Sequence, residues 1–410
     1  MMRFQRRRPY RAWRLVSRVD LKGRQNGYGD APKLAIIGAR SLPARWGGFD
    51  TVVSQLAPRL VKRGYDVTVY CQPRYSISER PAVYDGVKLR YIPSLNSKSL
   101  EALSYEGLCA LDSIRRDFDL VYVLGLRASF VHLLHKIRGR PVVMNTDGFD
   151  WQRRKWGRLA RAYLRTSEAI GARFVATHLI CDSRATQPYF RQKYGRNSTY
   201  IGYGATNGEE LPERILPIYG LAPKSYYLIV ARIEPENNID IAIREHNRAG
   251  VSRPLVIVGA ANYRSRYESQ IKRLADPNRV RFLGGIYQPG HVDQLYANAY
   301  AYIHGHEVGG TNPSLLQAMG NGCASIAFDV PFNREVLGSA GRYFDTSPGT
   351  LAKQLNELDS NEELAESLGL AAQQRASRFY AWDQVIDEYD EFFRSVLPIP
   401  RLVQATDVDA

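Results

Sequence analysis

Short apolar runs that alternate with helical periodicities, and start afresh halfway along the chain, constrain this sequence more than any other feature. The first set of runs is 33–37, 66–71, 88–92, 120–124, 142–145, 178–181 and 199–203, with helical patterns at 49–64, 100–116, 127–137 and 152–170. The second set is 226–231, 255–259, 280–283, 300–304 and 324–328, with helices near 239–249, 263–274, 291–298 and after Pro348. Apolar runs of this length, separated by helices, predict parallel sheets wound on both sides and buried on both faces. The stretch 205–223, with its prolines, glycines and two adjacent glutamates, reads as a linker. The expected organisation is a basic leader at 1–30, a first α/β domain at 31–204 and a second at 205–384. A helix at 385–410 then returns toward the first domain, with a tail. Open α/β sheets bind ligands beyond the carboxyl ends of their strands, so the cleft between the two domains is the expected site.

A chain of 410 residues, 44% hydrophobic and 24% charged, is long enough for two cores. It has no run of 18 apolar residues, so no helix is expected to cross a bilayer. Cys71, Cys109, Cys181 and Cys323 stand far apart in or beside apolar runs without CxxC spacing, as buried free thiols of a reducing compartment do. The formal charge of +15 is uneven, because residues 1–24 carry nine Arg or Lys against one Asp. With Phe4, Trp13, Leu15, Val16, Val19 and Leu21 interleaved, this leader has two readings: a basic segment lying on an anionic membrane, or a solvated tail. It lacks the apolar core of a secretion signal. No nucleic-acid motif accompanies the charge, and nucleic acid is not an expected partner.

Four segments carry candidate chemistry. AYIHGHEVGGTNPSLLQAMGNG, at 301–322, reads as strand, glycine turn and short helix, with Asn312 as N-cap, Pro313 in the first turn and Gly320 and Gly322 as the stop. Its turn Gly309-Gly310-Thr311 puts backbone N–H groups at the positive end of a helix, either as an anion site or as an ordinary strand-to-helix turn. The loop GARSLPARWGGFD, at 38–50, has Gly47 and Gly48 just before a helix. They either admit a phosphate or sugar to the backbone or serve a turn that needs positive φ. Arg232, at a strand's carboxyl end in VARIEPENNI, either grips a pyrophosphate bidentately or is a surface charge. Asp147, in the loop Asn145-Thr146-Asp147-Gly148, either bonds a sugar or acceptor hydroxyl or shapes an Asx turn.

Two further features belong beside these. His304 and His306 are expected to face apart where their strand ends, in structural or polar-contact roles rather than as a metal pair. The basic stretch 151–173, with Trp151, Trp156, Leu159 and Tyr163, is expected to be helical, its basic face either solvated or docked on an anionic leaflet.

Together these segments resemble the retaining glycosyltransferases of family four, and within them a bacterial rhamnosyltransferase-like branch. The likeness runs in order from about Lys33 to Phe393, through LPARWGGFDTVVSQLAPRLVKRGYDVTVYC, NTDGFDWQRRKW, ARIEPENNI, YIHGHEVGGTNPSLLQAMGNG and FDVPFNREVLG. The leader lies outside it. The resemblance implies the GT-B architecture, in which two Rossmann-like, doubly wound parallel-sheet domains face each other across a cleft. It implies a nucleotide-sugar donor held by Gly47, Gly48, Arg232, Asn237, Gly309, Gly310, Thr311, Asn312, Ser314 and Gln317. It implies acceptor contacts from Arg45, Asn145, Asp147 and Trp151, with Arg232 and Asp147 taking catalytic parts.

The sequence departs from the family in three places. The family's diphosphate-gripping lysine, five residues after the arginine, is Asn237 here. Its two glutamates eight residues apart correspond to Gly309 and Gln317, with Glu307 close enough to stand in for the first. Its histidine beside the donor sugar corresponds to the loop of Asn145 to Gly148.

The implied activity is retaining transfer of a sugar, with no metal or cofactor, to a lipid-linked or growing cell-surface glycan at the cytoplasmic face of a membrane. L-Rhamnose from dTDP-L-rhamnose is the expected donor. Gln317 grips a ribose more weakly than a glutamate would, and a deoxyribose offers one hydroxyl fewer. The absent histidine would meet the C6 hydroxyl, which a 6-deoxy sugar lacks. UDP- and GDP-hexose transferases of the same fold are alternatives. A sugar-nucleotide 2-epimerase would need a carboxylate and histidine set that cannot be assembled here, and a non-catalytic sugar-binding protein would account for the missing glutamates.

Overall fold

The computed structural model describes residues 31–44, 48–76, 80–97, 100–206, 215–261 and 266–397, and Pro32–Pro398 form one compact unit. The leader, Arg45 and Gly47 lie outside the described residues.

The first lobe is built on eight strands: β1 (Lys33–Ile37), β2 (Asp66–Cys71), β3 (Val83–Tyr84), β4 (Val87–Tyr91), β5 (Leu120–Leu124), β6 (Val142–Asn145), β7 (His178–Cys181) and β8 (Thr199–Tyr200). They lie in the order β3-β4-β2-β1-β5-β6-β7-β8, parallel except for the β3–β4 hairpin. The second lobe has six parallel strands: β9 (Tyr227–Val230), β10 (Leu255–Val258), β11 (Val280–Gly284), β12 (Ala301–His304), β13 (Ala324–Phe328) and β14 (Arg342–Phe344). Their order is β11-β10-β9-β12-β13-β14. Runs such as LVYVL in β5 and LVIV in β10 are wholly buried, because helices cover both faces of each sheet. The expected pair of doubly wound parallel sheets is therefore what forms. All four cysteines are free and buried.

The chain crosses between the lobes twice at one place. Residues 201–206 leave the first sheet, which is why β8 keeps only two of the five residues expected of it. Tyr380–Trp382 come back alongside them: Ala205 bridges Ala381, and the Ala205 N–H donates to the Tyr380 carbonyl at 2.7 Å. Gly204 must be glycine, because a Cβ there would lie inside the Trp382 indole. The helix Trp382–Val396 then packs on the first lobe. The Tyr389 and Tyr122 hydroxyls are 3.0 Å apart, and Tyr65 donates to Asp390 at 2.8 Å. Tyr389 and Phe393 are fully buried in one apolar cluster with Leu34, Leu56, Leu228 and Leu316, which joins both lobes.

Two helical expectations change. Segment 127–137 is a 3₁₀ turn, Ser129–His132, followed by the short helix Leu133–Ile137, and the Ser129 hydroxyl bonds the Ser167 carbonyl. The long helix expected at 152–170 begins only at Arg158. The residues before it are drawn across the cleft.

Candidate active site

The order of the second sheet reverses between β9 and β12, so the loops leaving these two strands frame its crevice. Arg232 follows β9 and is half-buried there, and no hydrogen bond or ion pair reaches its guanidinium among the described residues. Burial first, then Arg153, pulls its pKa down to about 10; Glu234 opposes them, and Arg40 and Arg127 add weaker pulls downward. A sequestered cation crowded by other cations is costly unless an anion joins it.

Two helix N-termini meet at the same crevice. Gly48–Lys62 opens the first lobe's helix, Pro313–Gly320 the second's, and a Cβ on Gly48 would touch the Pro313 ring at 3.5 Å. The N-terminus of each helix carries the positive end of its dipole. The Asn312 Oδ1 caps the second helix, accepting from the Ser314 N–H at 3.0 Å and the Ser314 hydroxyl at 2.7 Å; Tyr302 donates to Ser314 Oγ at 3.1 Å. Donor contacts are expected from the Asn312 and Ser314 side chains. The cap consumes both side chains and the Ser314 N–H, while Pro313 has no N–H and those of Leu315 and Leu316 donate to the Asn312 carbonyl, so this helix end offers an anion its dipole.

The glycine turn itself is sealed against the first lobe. A Cβ on Gly148 would overlap Gly309, and one on Gly310 would overlap the carboxyl of Asp182. Thr311 donates its hydroxyl to the Asp182 carbonyl. The sequence reading gives these glycines to a phosphate; here their bareness lets the two lobes meet, and the Thr311 side chain is spent on that seam. Asp182 is buried with Oδ1 unpartnered, and burial, then the nearby Asp147, pushes its pKa up to about 8.

The loop after β6 forms the opposite wall. Asn145 is expected to meet an acceptor, yet it is wholly buried. Its Oδ1 accepts from the Asp147 N–H at 2.8 Å, and its Nδ2 donates to Tyr122 at 3.1 Å and Tyr203 at 3.2 Å. Its amide is thus spent shaping the Asx turn, in which Asp147 takes φ +49°. The Asp147 carboxylate lies 3.7 Å from the Arg127 guanidinium, and burial, then Asp150, raises its pKa. Asp150 is held well below the usual carboxylate range by Arg127 and Arg153, despite burial that opposes them. Trp151 donates from Nε1 to Glu168 at 3.0 Å, and Arg165 lies 4.3 Å over its ring. It lines both a small crevice with Thr146, Gly148 and Asp150 and an outer groove of about 640 Å³ with Arg165, Phe174 and Lys193.

Arg153, Arg154 and Lys155 precede the helix, leaving it for the second lobe. Arg153 lies 3.7 Å from Glu236, Lys155 lies 3.4 Å from Glu234, and Arg154 pairs with Glu307 and donates to Asn238 at 2.7 Å. Glu307 is therefore taken by the opposite lobe, which corrects the expectation that it replaces a family glutamate. Asn237 is likewise corrected: it is buried, and its Nδ2 donates to the Arg232 carbonyl at 2.7 Å, so it holds the loop rather than a donor. The Gln317 carboxamide makes no hydrogen bond among the described residues.

His304 and His306 do not face apart. Their rings stack 4.4 Å apart, since residues two apart on a strand share a face, and burial keeps both neutral at neutral pH. Among the described residues, no group of three or more His, Cys, Asp or Glu is arranged to hold a metal ion. Asp182 and the cations Arg127, Arg153 and Lys155 are the site residues that the sequence reading misses. Only Asp182 carries a signal, a carboxylate immediately after a strand's carboxyl end.

Residues 216–375 match the family described as Glycosyl transferases group 1, and residues 32–206 match a domain of unknown function, DUF1972. No curated protein matches the chain in sequence. Among solved structures it is similar to a sucrose-phosphate synthase from Thermosynechococcus elongatus, with a TM-score of 0.72 and 16% identity over 89% of this chain and 98% of the other. Anabaena HepE in complex with UDP-glucose gives a TM-score of 0.70 and 19% identity over 89% and 100%. WaaG, a glycosyltransferase involved in lipopolysaccharide biosynthesis, gives 0.66 and 15% over 88% and 99%. With a group 1 glycosyltransferase domain as its second lobe and the GT-B fold over both lobes, the chain is a glycosyltransferase.

Proposed function

We propose that the chain transfers a sugar, with retention, from a nucleoside diphosphate to a lipid-linked or growing cell-surface glycan. The observation that carries this reading is the Arg232 guanidinium, unpaired among the described residues, in a crevice where two helix N-termini meet. In the transfer, the bond from the sugar's anomeric carbon to the phosphate oxygen breaks, and the electron pair leaves with the diphosphate. A bond to the acceptor oxygen forms on the same face, and the acceptor's proton passes to the leaving phosphate. Negative charge gathers on the diphosphate, where Arg232 and the helix ends stabilise it. In this reading Asp147 orients the attacking hydroxyl. This reading calls for no metal or cofactor.

dTDP-L-rhamnose remains the proposed donor, on the unengaged amide of Gln317 and the absence of a histidine from the Asn145–Gly148 loop. A UDP-hexose is the second reading, favoured by the UDP-glucose bound in the similar HepE. The acceptor is proposed to be met at a cytoplasmic membrane surface. The outer groove with Arg165, Arg173 and Lys193 supports this, and among the described residues no helix is long and apolar enough to cross a membrane. The test sets dTDP-rhamnose, UDP-glucose and GDP-mannose beside one another with a lipid-linked acceptor and follows nucleotide release. Turnover at least about tenfold more efficient with UDP-glucose or GDP-mannose removes the rhamnose assignment. No release with any donor removes the transferase reading.

A further inference from the structure

The outer groove of about 640 Å³ brings three aromatic rings and three cations together: Trp151, Tyr189 and Tyr194 with Arg165, Arg173 and Lys193. One buried carboxylate organises the rings. Glu168 accepts from Trp151 Nε1 at 3.0 Å, from the Tyr189 hydroxyl at 2.5 Å and from the Tyr194 hydroxyl at 2.6 Å. Burial, then the bond to Glu168, raises the pKa of both phenols, which keeps them as donors. The three rings are thus fixed by their polar edges. The cations lie over them, Arg165 at 4.3 Å from the Trp151 ring, Lys193 at 4.6 Å from Tyr189 and Arg173 at 5.3 Å from Tyr194.

The charges of the groove do not balance. Among the described residues, no acidic side chain lines it. Lys193 lies 3.6 Å from Glu168 beneath and donates to the Tyr189 hydroxyl. Arg173 donates to the Lys193 carbonyl at 3.2 Å, which carries no charge to offset its own. Arg165 is exposed, and no hydrogen bond or ion pair reaches its guanidinium among the described residues. One carboxylate, already shared among three hydroxyl and indole donors, therefore faces three cations. The groove also adjoins the catalytic crevice, because Trp151 is a wall of both. Trp151 follows Asp147 by four residues, at most about 14 Å of chain even when extended.

We propose that this groove is a phosphate subsite for the acceptor: it holds the diphosphate that joins an acceptor saccharide to its lipid. This rests on the transferase reading above. Arg165, Arg173 and Lys193 meet the charged oxygens, and the rings of Trp151 and Tyr189 carry the apolar face of the adjoining sugar. The saccharide then runs past Trp151 toward Asp147, where its hydroxyl is to react. Because Glu168 sets the rings in advance, little ordering is left for the acceptor to bring about.

The experiment titrates inorganic pyrophosphate into the full chain by calorimetry. Arg232→Met is the background, so that the donor's own anion contact is absent. Pyrophosphate should still bind there. Adding Arg165→Gln and Lys193→Gln should weaken it by about tenfold or more, as loss of charge-assisted contacts requires. With Arg232 in place, the same two substitutions should leave the affinity for UDP, dTDP or GDP within about twofold of wild type. Thermal unfolding of each variant establishes folding. Where the double substitution does not fold, Arg165→Gln alone serves, since that side chain is exposed. Absence of pyrophosphate binding in Arg232→Met overturns the proposal, as does an affinity that the groove substitutions leave unmoved. A further arm sediments the protein with vesicles of phosphatidylglycerol in phosphatidylcholine. Groove substitutions that abolish vesicle binding and spare pyrophosphate make the groove a bilayer contact, which also overturns the proposal. A wild type that binds none of the three nucleoside diphosphates removes the nucleotide-sugar reading, and the pyrophosphate titration still decides the groove.

Discussion

The hydroxyl of Thr311 donates to the backbone carbonyl of Asp182, fastening the second lobe's glycine turn to the end of β7 in the first. Gly310 lies flat against the Asp182 carboxyl, and Gly148 meets Gly309 beside them. The donor-side turn is thereby a contact surface as well as a ring of N–H groups. Its geometry depends on two residues having no side chain.

Gly310→Ala tests this dependence. A methyl there overlaps the Asp182 carboxyl, so the lobes must separate while each keeps its fold. Small-angle scattering should show a larger radius of gyration with unchanged far-ultraviolet circular dichroism. Turnover should fall about tenfold or more, because misplacement of about 1 Å in a site can cost as much as 100-fold. Wild-type scattering together with wild-type turnover would show that the seam tolerates the methyl.

Arg232→Met should make the unliganded protein more stable and the liganded protein worse. The folded pKa, about 10, lies below the usual arginine value, so the charged form is disfavoured by folding at every pH below that point. The penalty is fully present at neutral pH and fades only as the pH rises from about 10 toward the unfolded value. Removing the cation relieves it, and the melting temperature without ligand should rise by roughly 2 °C or more. The increase that a bound nucleoside diphosphate gives the wild type should vanish. A drop in unliganded melting temperature would mean that Arg232 is paired after all.

Asp182→Asn should change how stability varies with pH. The folded pKa is raised to about 8, so an ionised carboxylate is disfavoured in the native seam. In the unfolded chain the group ionises near pH 4, so wild type loses stability from this group as pH climbs from about 4 to about 8. The slope is at most about 1.4 kcal/mol per pH unit, and the loss levels off above pH 8. The asparagine variant lacks this loss. Its melting temperature should therefore gain on wild type across that window, and parallel curves for the two proteins would refute the assignment.

Gly204→Ala should destabilise the crossing. The added methyl cannot avoid the Trp382 indole, and overpacking of this kind costs about 1–3 kcal/mol. Denaturant unfolding reads the loss directly. An equal midpoint for wild type and variant would mean that the indole has room to move.

Much of the fold is legible in the sequence because it rests on local patterns. Buried strands such as LVYVL at 120–124 and LVIV at 255–258 are apolar along their whole length, and Asn312-Pro313 marks a helix start by its own chemistry. What escapes reading is long-range pairing. Arg153, Arg154 and Lys155 look like the basic face of a helix, since nothing near them shows that their partners are Glu236, Glu307 and Glu234. The glycines of the 309–311 turn and the amides of Asn145 and Asn237 suggest ligand contacts by type. Only the packed structure shows that protein atoms already occupy them. Arg232 is legible from its place after a strand, but that its guanidinium has no partner among the described residues is not.

The return of the helix Trp382–Val396 to the first lobe has a consequence for how the protein is made. Tyr389 and Phe393 are fully buried against Tyr122, so the first lobe's core contains residues from near the end of the described chain. A ribosome that has finished residue 205 must add about 190 more before they exist, on the order of 10–40 seconds at roughly 5–20 residues per second. During that interval the nascent first lobe has a sheet but an open apolar seam where the last helix belongs. The second lobe, contiguous from β9 to β14, can close first, although it is made later.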